Sequence, residues 1–315
     1  MMTIIVNMLE MCISFSVALL LASIGEMFNQ RAGVFNLGCE GIMSLGAFFG
    51  MLVVYFAEKA GYYSGWFNFL GFLLAAVVGA LLGLFFGLIV VTFRAPQGIA
   101  GIGFQMFGVG LAGTLFRYYV GGVQNIKGVT ATGIPGLRNI PVIGQIFFSH
   151  SVVVYLAYLT VPIAWYVLFK TPWGLKVRAV GTHPRASDSM GINVNKIRYE
   201  ALALGGAFAG IAGAYLSLAQ AHLFNDTIIS GRGFIAVALV YFGHWHPYQI
   251  LGGAMLFTLA QTFQAQVQSS GIAFPYEFAV MLPYILVIVV LAFTSKNNKM
   301  SPSALGKPFN REQRV

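Results

Sequence analysis

The chain has 315 residues, 58% of them hydrophobic and only 9% charged, with a formal net charge of +9. An ordinary soluble domain carries roughly a quarter of its residues as charges, so this composition excludes a soluble enzyme or binding module and predicts an all-α polytopic membrane protein. The basic residues sit in segments between apolar runs, so they report topology and not a nucleic-acid-binding face; no nucleic acid is expected as a partner.

In chain order, apolar runs at 3–23, 40–57, 66–93, 97–118, 151–169, 199–221, 232–244, 248–268 and 276–294 predict about nine transmembrane helices. Eight or ten also fit, because 24–39 and 225–244 are ambiguous. About 20 apolar residues cross a bilayer, so the seventh run is too short and reads as broken or re-entrant. The first run is expected to be retained and not cleaved, since no Lys or Arg precedes it and Glu10 interrupts it. Residues 1–295 read as a single transmembrane domain with a charged loop at 170–198, and 296–315 as a polar, mobile cytoplasmic tail.

Orientation follows the positive charges. With the N-terminus outside, Arg31, Arg94, six basic residues in 170–198 and five in the tail fall in the cytoplasm, thirteen of the eighteen Lys and Arg. The loop 119–150 is then external and reads either as an ordered cap over a cavity or as a plain surface loop. Glycines at helix-packing spacing (Gly79, Gly83, Gly87; Gly46, Gly50; Gly206, Gly210) read first as packing faces within the chain. Cys12 and Cys39 have no metal-ligand or disulfide spacing.

Charges at bilayer depth are costly, so each must be paired, interfacial or lining water. Glu40 lies in the glycine-interrupted segment GVFNLGCEGIMSLGAFFG, where Asn36 would share its helix face at i, i+4. A polar pair on a glycine-broken membrane segment is a way to build a polar site at depth; a structural hydrogen bond to a neighbouring helix is the plainer alternative. Gln97 and Gln105 read as helix cross-links, Phe104 and Phe107 as aromatics able to stack on a flat ligand, and HWHP at 244–247 as a tight turn.

The loop KTPWGLKVRAVGTHPRASDSMGINVNKIR at 170–198 is the most charged internal stretch, with six basic residues and one acid. Thr182 as N-cap, Pro184 in the first turn and Gly191 as a stop predict a short surface helix held against the cytoplasmic face. No phosphate loop, HExxH or GxSxG motif is present. The chain therefore shows no means of hydrolysing ATP, and uphill transport would draw on an ion gradient or a partner ATPase.

GEMFNQRAGVFNLGCEGIMSLGAFFG (25–50), VRAVGTHPRASDSMGINVNKIRYEALALGGAFAGIAGAYLSLAQ (177–220) and GRGFIAVALVYFGHWHPYQILGGAMLF (231–257) resemble permease subunits of ATP-binding-cassette importers of the branched-chain amino acid, simple-sugar and nucleoside group. The RAGVFNLGCEG form is most similar to nucleoside-importer permeases. The resemblance implies a second permease subunit, an ATPase subunit that uses the ATP, an extracytoplasmic solute-binding protein and a bacterial plasma membrane location; no cofactor is expected on this chain. It implies a coupling helix at about 182–191. The coupling set is Arg178, Ala179, Gly181, Pro184, Arg185, Ala186, Asp188 and Gly191, with Arg178, Arg185 and Asp188 touching the ATPase and Ala179, Ala186 and Met190 packing beneath. It also implies Asn36, Glu40, Phe104 and Gln105 as the substrate path. Gly103-Phe104-Gln105 stands where many nucleoside-type relatives carry an Asn, which leaves sugars and branched-chain amino acids open as substrates. An ion-coupled secondary transporter, with Glu10 and Glu40 as its carboxylates, is one rival reading; a membrane-embedded enzyme is the other, though the sequence shows no clustered polar or metal constellation for it.

Overall fold

The computed structural model describes residues 2–133, 136–140, 142–269, 281, 285, 288, 289, 292 and 301–310. Among these every regular element is a helix: α1 (Met2–Arg31), α2 (Cys39–Lys59), α3 (Trp66–Gly87), α4 (Gln97–Tyr119), α5 (Ile143–Phe148), α6 (Val152–Lys170), α7 (Pro172–Thr182), α8 (Pro184–Ser189), α9 (Val194–Tyr215), α10 (Arg232–Phe242) and α11 (Pro247–Ser269), with a short 3₁₀ turn at Leu137–Asn139. α3 and α9 each run on through a widened turn, at Leu88–Thr92 and Leu216–Gln220.

Six of these helices are long and apolar enough to cross a bilayer: α1, α2, α3, α4, α6 and α9. The chain is thus a multi-pass helical membrane protein, but the expected nine spans are not all found among the described residues. α10 has 11 residues, about 16 Å at 1.5 Å per residue, half of what a crossing needs. α11 is long enough, but Gln249, Gln261, Gln264, Gln266 and Gln268 dilute its apolar character. The ninth expected run, 276–294, lies almost wholly outside the described residues. α1 extends to Arg31 and not 23, because its polar last turns satisfy one another: Glu26 accepts from Asn29 and Gln30 three and four residues on.

The core forms where glycine lets backbones touch. α9 is the central helix, packed by α1, α2 and α3. Gly79 and Gly83 of α3 lie on the carbonyls of Gly206 and Leu202, and Gly210 lies on the carbonyl of Ala75. On α2, Gly50 meets the Ala214 side chain at 2.9 Å from where a Cβ would be. The glycine repeats therefore serve one intramolecular interface, where close approach supplies the dispersion contacts that replace a hydrophobic drive between helices in lipid.

α7 and α8 form a helical hairpin on one face. Residues 120–133 and α5 lie at the opposite face, where residues 125–130 and Thr132 wall one side of a cavity of about 1030 Å³ also lined by Tyr63, Asn68 and His222.

Candidate functional site

The turn between α1 and α2 is where the polar residues gather. Glu26, 1% exposed, accepts from Asn29 Nδ2 at 2.8 Å, Gln30 Nε2 at 3.2 Å and the Asn36 N–H at 3.1 Å. Gln30 passes the network on, its Oε1 accepting from Trp245 Nε1 at 2.8 Å. Gln97 fixes the turn from α4 by accepting the Phe35 N–H at 2.7 Å, the cross-link expected of it. Three hydrogen bonds converge on its carboxyl group, so Glu26 is the node of this segment.

Glu40 and Asn36 do not share a helix face as expected. α2 begins only at Cys39, and Asn36 sits in the irregular stretch before it, its Oδ1 accepting the Gly38 N–H at 2.9 Å. Short polar side chains take such local backbone bonds in preference to extending a helix. Glu40 reaches elsewhere: its Oε1 accepts the N–H of Gly231, the residue that caps the start of α10, at 2.9 Å. Its Oε2 is buried without a partner.

That contact explains the short seventh run. Asp226, just before α10, pairs with Arg117 at the far end of α4 at 2.7 Å. Five and seven residues later, Gly231 and Gly233 lie against Glu40, whose neighbour Gly41 backs onto Phe104 and Gln105, about 10 Å into α4 from its hairpin-face end. The chain therefore enters the bundle from the far face without regular structure, and α10 starts inside it as the second half of a broken crossing. α10 then returns to the hairpin face, where Arg31 donates to the carbonyls of His244 (3.4 Å) and Trp245 (2.9 Å) in the expected HWHP turn. A half-helix whose N-terminus points into the bundle presents unpaired N–H groups and a positive dipole end at depth, and the Glu40 carboxylate occupies it.

Of the four expected path residues, the structure brings all to one place but not in one role. Phe104 is only 4% exposed and is held among the rings of Phe85, Phe86 and Phe107, with centroids at 6.0, 5.4 and 6.1 Å. Ringed in this way, it presents no free face for stacking. Gln105 is half-buried at the edge of α4. The sequence reading gave no site role to Glu26, Asn29, Gln30 or Trp245. The i, i+3, i+4 spacing of Glu26, Asn29 and Gln30 on an apolar helix was the available signal.

The charged loop is a hairpin of two helices and not one. Thr171 caps α7, its Oγ1 accepting the Gly174 N–H at 3.1 Å, with Pro172 in the first position. The expected N-cap Thr182 instead ends α7, donating back to the Arg178 carbonyl at 2.8 Å, and His183 stands before α8. Pro184 opens α8 and Gly191, with φ +82°, closes it, both as expected. The expected facing is partly reversed. Ala186 and Met190 (82% exposed) are on the outside, while Ser187 is the residue of α8 that is buried. Arg178 turns inward over the Phe169 ring at 5.1 Å, leaving Arg185 exposed and Asp188 half-exposed on α8. Ala179 is half-buried, and Gly181 packs on the Arg31 carbonyl at the elbow.

A multi-pass bundle with a broken span and a capped hairpin on one face defines a membrane transport subunit. Residues 8–291 match the model of a family described as branched-chain amino acid transport system / permease component, and the chain belongs to that family. It is 36% identical to the guanosine ABC transporter permease protein NupQ of Bacillus subtilis, covering 95% of each chain. It is also 36% identical to the nucleoside ABC transporter permease protein NupC of Lactococcus lactis subsp. cremoris, covering 91% of this chain and 93% of that one. A Haloferax volcanii protein named only provisionally as a glucose ABC transporter permease, TsgC13, is 35% identical over 97% of this chain and 98% of its own. No solved structure matches.

Proposed function

We propose that the chain is the membrane-spanning permease subunit of an ATP-driven importer that carries nucleosides. The observation that carries this reading is the hairpin α7–α8, exposed at its tip and joined at its elbow to the turn that leads to Glu40, in a chain of this permease family with no nucleotide-hydrolysing motif. Names of two relatives matched over nearly their full length supply the nucleoside assignment. In this reading an ATPase subunit burns the ATP and moves α8, a second permease subunit completes the path, and an extracytoplasmic binding protein delivers the solute. The membrane is the bacterial plasma membrane, with hairpin and tail in the cytoplasm.

Glu40, Asn36 and Gln105 are the proposed polar contacts for a ribose or base once the bundle opens. Residues 1–295 act as one transport domain. A sugar is the second reading, favoured by the match to TsgC13; a ribose and a hexose ask for the same hydroxyl-binding groups.

Vesicles holding this chain with its ATPase, its partner permease and its binding protein test the assignment. ATP-dependent accumulation of labelled guanosine or adenosine, competed by unlabelled nucleosides and not by glucose, is expected. Uptake that persists without ATP and collapses with an ionophore would replace the reading with an ion-coupled carrier.

A further inference from the structure

Composition makes the C-terminal segment a solvated tail, yet residues 301–310 are tied down. Pro302 and Ala304 are buried, and Leu305 and Phe309 pack against the core. The Ala304 N–H donates to the Gly181 carbonyl at 3.0 Å, and the Gly306 N–H donates to the Gly33 carbonyl at 3.3 Å. Ser303 Oγ donates to the Thr182 carbonyl, and the Lys307 carbonyl accepts from Arg198 Nη1 at 3.2 Å. These four anchors reach three elements: the elbow of the hairpin, the turn after α1 and the start of α9.

They converge on Gly33. Its φ is +85°, and a Cβ there would sit 3.1 Å from Arg198 Nη2, 3.3 Å from the Ala304 carbonyl oxygen and 3.4 Å from the Gly181 Cα. The tail is thus a strap laid across the joint between the hairpin and α1. Strap and α8 also face each other across a groove of about 460 Å³, whose lining among the described residues includes His183, Arg185, Lys307 and Phe309 and no carboxylate. The groove is continuous with the exposed side of α8 that carries Arg185 and Ala186.

We propose that residues 302–309 are the second half of the surface on which the ATPase subunit seats. The groove between α8 and the strap receives an acidic element of that subunit, and the strap ties its movement to the Gly33 turn. This rests on the permease reading above and deepens it by adding a segment that neither composition nor the coupling-helix pattern points to.

The test uses the complete transporter with three permease variants: a chain ending at Met300, Ala304→Pro and Lys307→Glu. The shortened chain should still insert and run as a monodisperse peak, because uncovering Arg198 lets water solvate its guanidinium. Its co-purified ATPase subunit should fall at least tenfold. Ala304→Pro, which removes one N–H, should keep the ATPase but transport at least fivefold less solute per ATP. Lys307→Glu, which leaves the Lys307 carbonyl in place, should weaken ATPase binding without changing the melting midpoint. A shortened chain that binds the ATPase and transports with wild-type stoichiometry overturns the proposal. Should that chain fail to fold, wild-type binding and coupling in both point variants overturns it equally. An intact chain that binds no ATPase subunit brings down the permease reading itself, and this inference with it.

Discussion

Replacing Glu40 separates a structural cap from a solute contact, because the two roles call for different numbers. Glu40 is 8% exposed, and its Oε1 holds the Gly231 N–H at 2.9 Å. Glu40→Ala removes that acceptor and strands a buried N–H, costing about 1–3 kcal/mol, to which loss of a negative charge at a helix start adds about 0.3–1 kcal/mol. Glu40→Gln keeps a carbonyl of the same reach and gives up mainly the charge assistance, about 1 kcal/mol. Melting midpoints in detergent should therefore rank wild type, then Gln, then Ala. Uptake kinetics of the Gln variant decide the second question. A cap alone predicts an unchanged KM, whereas a solute contact predicts a KM shift of fivefold or more with the midpoint little moved. An Ala variant that melts with wild type refutes both the cap and the half-helix placement of α10.

Gly206→Val should abolish monodisperse protein, since its side chain would stand on the Gly79 carbonyl, whereas Gly252→Ala on the open side of α11 should be neutral or stabilising by about 0.5–1 kcal/mol, read as yield and melting midpoint. Glu26→Leu strands three buried donors at about 1–3 kcal/mol each and should not accumulate in the membrane, while Glu26→Gln, which still accepts, should be recovered at reduced yield on a blot of membrane fractions. The double variant Arg185→Glu, Asp188→Arg should leave insertion intact and cut solute-stimulated ATP hydrolysis at least tenfold. Full uptake by that variant would remove α8 from the ATPase contact.

Much of the architecture was legible because hydropathy is a property of long stretches. Runs such as 66–93 and 97–118 fall within a residue or two of α3 with its widened turn and α4. The 232–244 run read as broken or re-entrant, since thirteen residues cannot cross, and it is the broken form that is found. The errors lie where one side-chain bond decides. Asn36 could have continued a helix with Glu40; its bond to Gly38 ends that option. Thr182 and Thr171 are both followed closely by proline, and only the fold shows that Thr171 caps α7 while Thr182 closes it. The facing of α8 was misread because a surface hairpin has no apolar stripe to set its phase, and the strap was invisible because three of its four anchors use its own backbone atoms.

The joint at Gly33 gives the arrangement its mechanical sense. The elbow of the hairpin touches the Arg31 carbonyl through Gly181, and Arg31 holds the turn after α10 through the carbonyls of His244 and Trp245. The same turn is tied to Glu26 through Gln30 and Trp245, and Glu26 holds Asn36, four residues before Glu40. Both ends of α10 are therefore fixed to the α1–α2 segment, one at Glu40 and one at Arg31. A force on α8 that shifted Gly181 would act on Arg31 and on the hairpin-face end of α10 together, and could withdraw its N-terminus from Glu40 only by turning the half-helix as a body. Packed elements of this kind hold discrete arrangements and do not deform continuously. A glycine-broken turn is the place where such a rotation costs least backbone strain, and Gly33, already at positive φ, is its natural pivot.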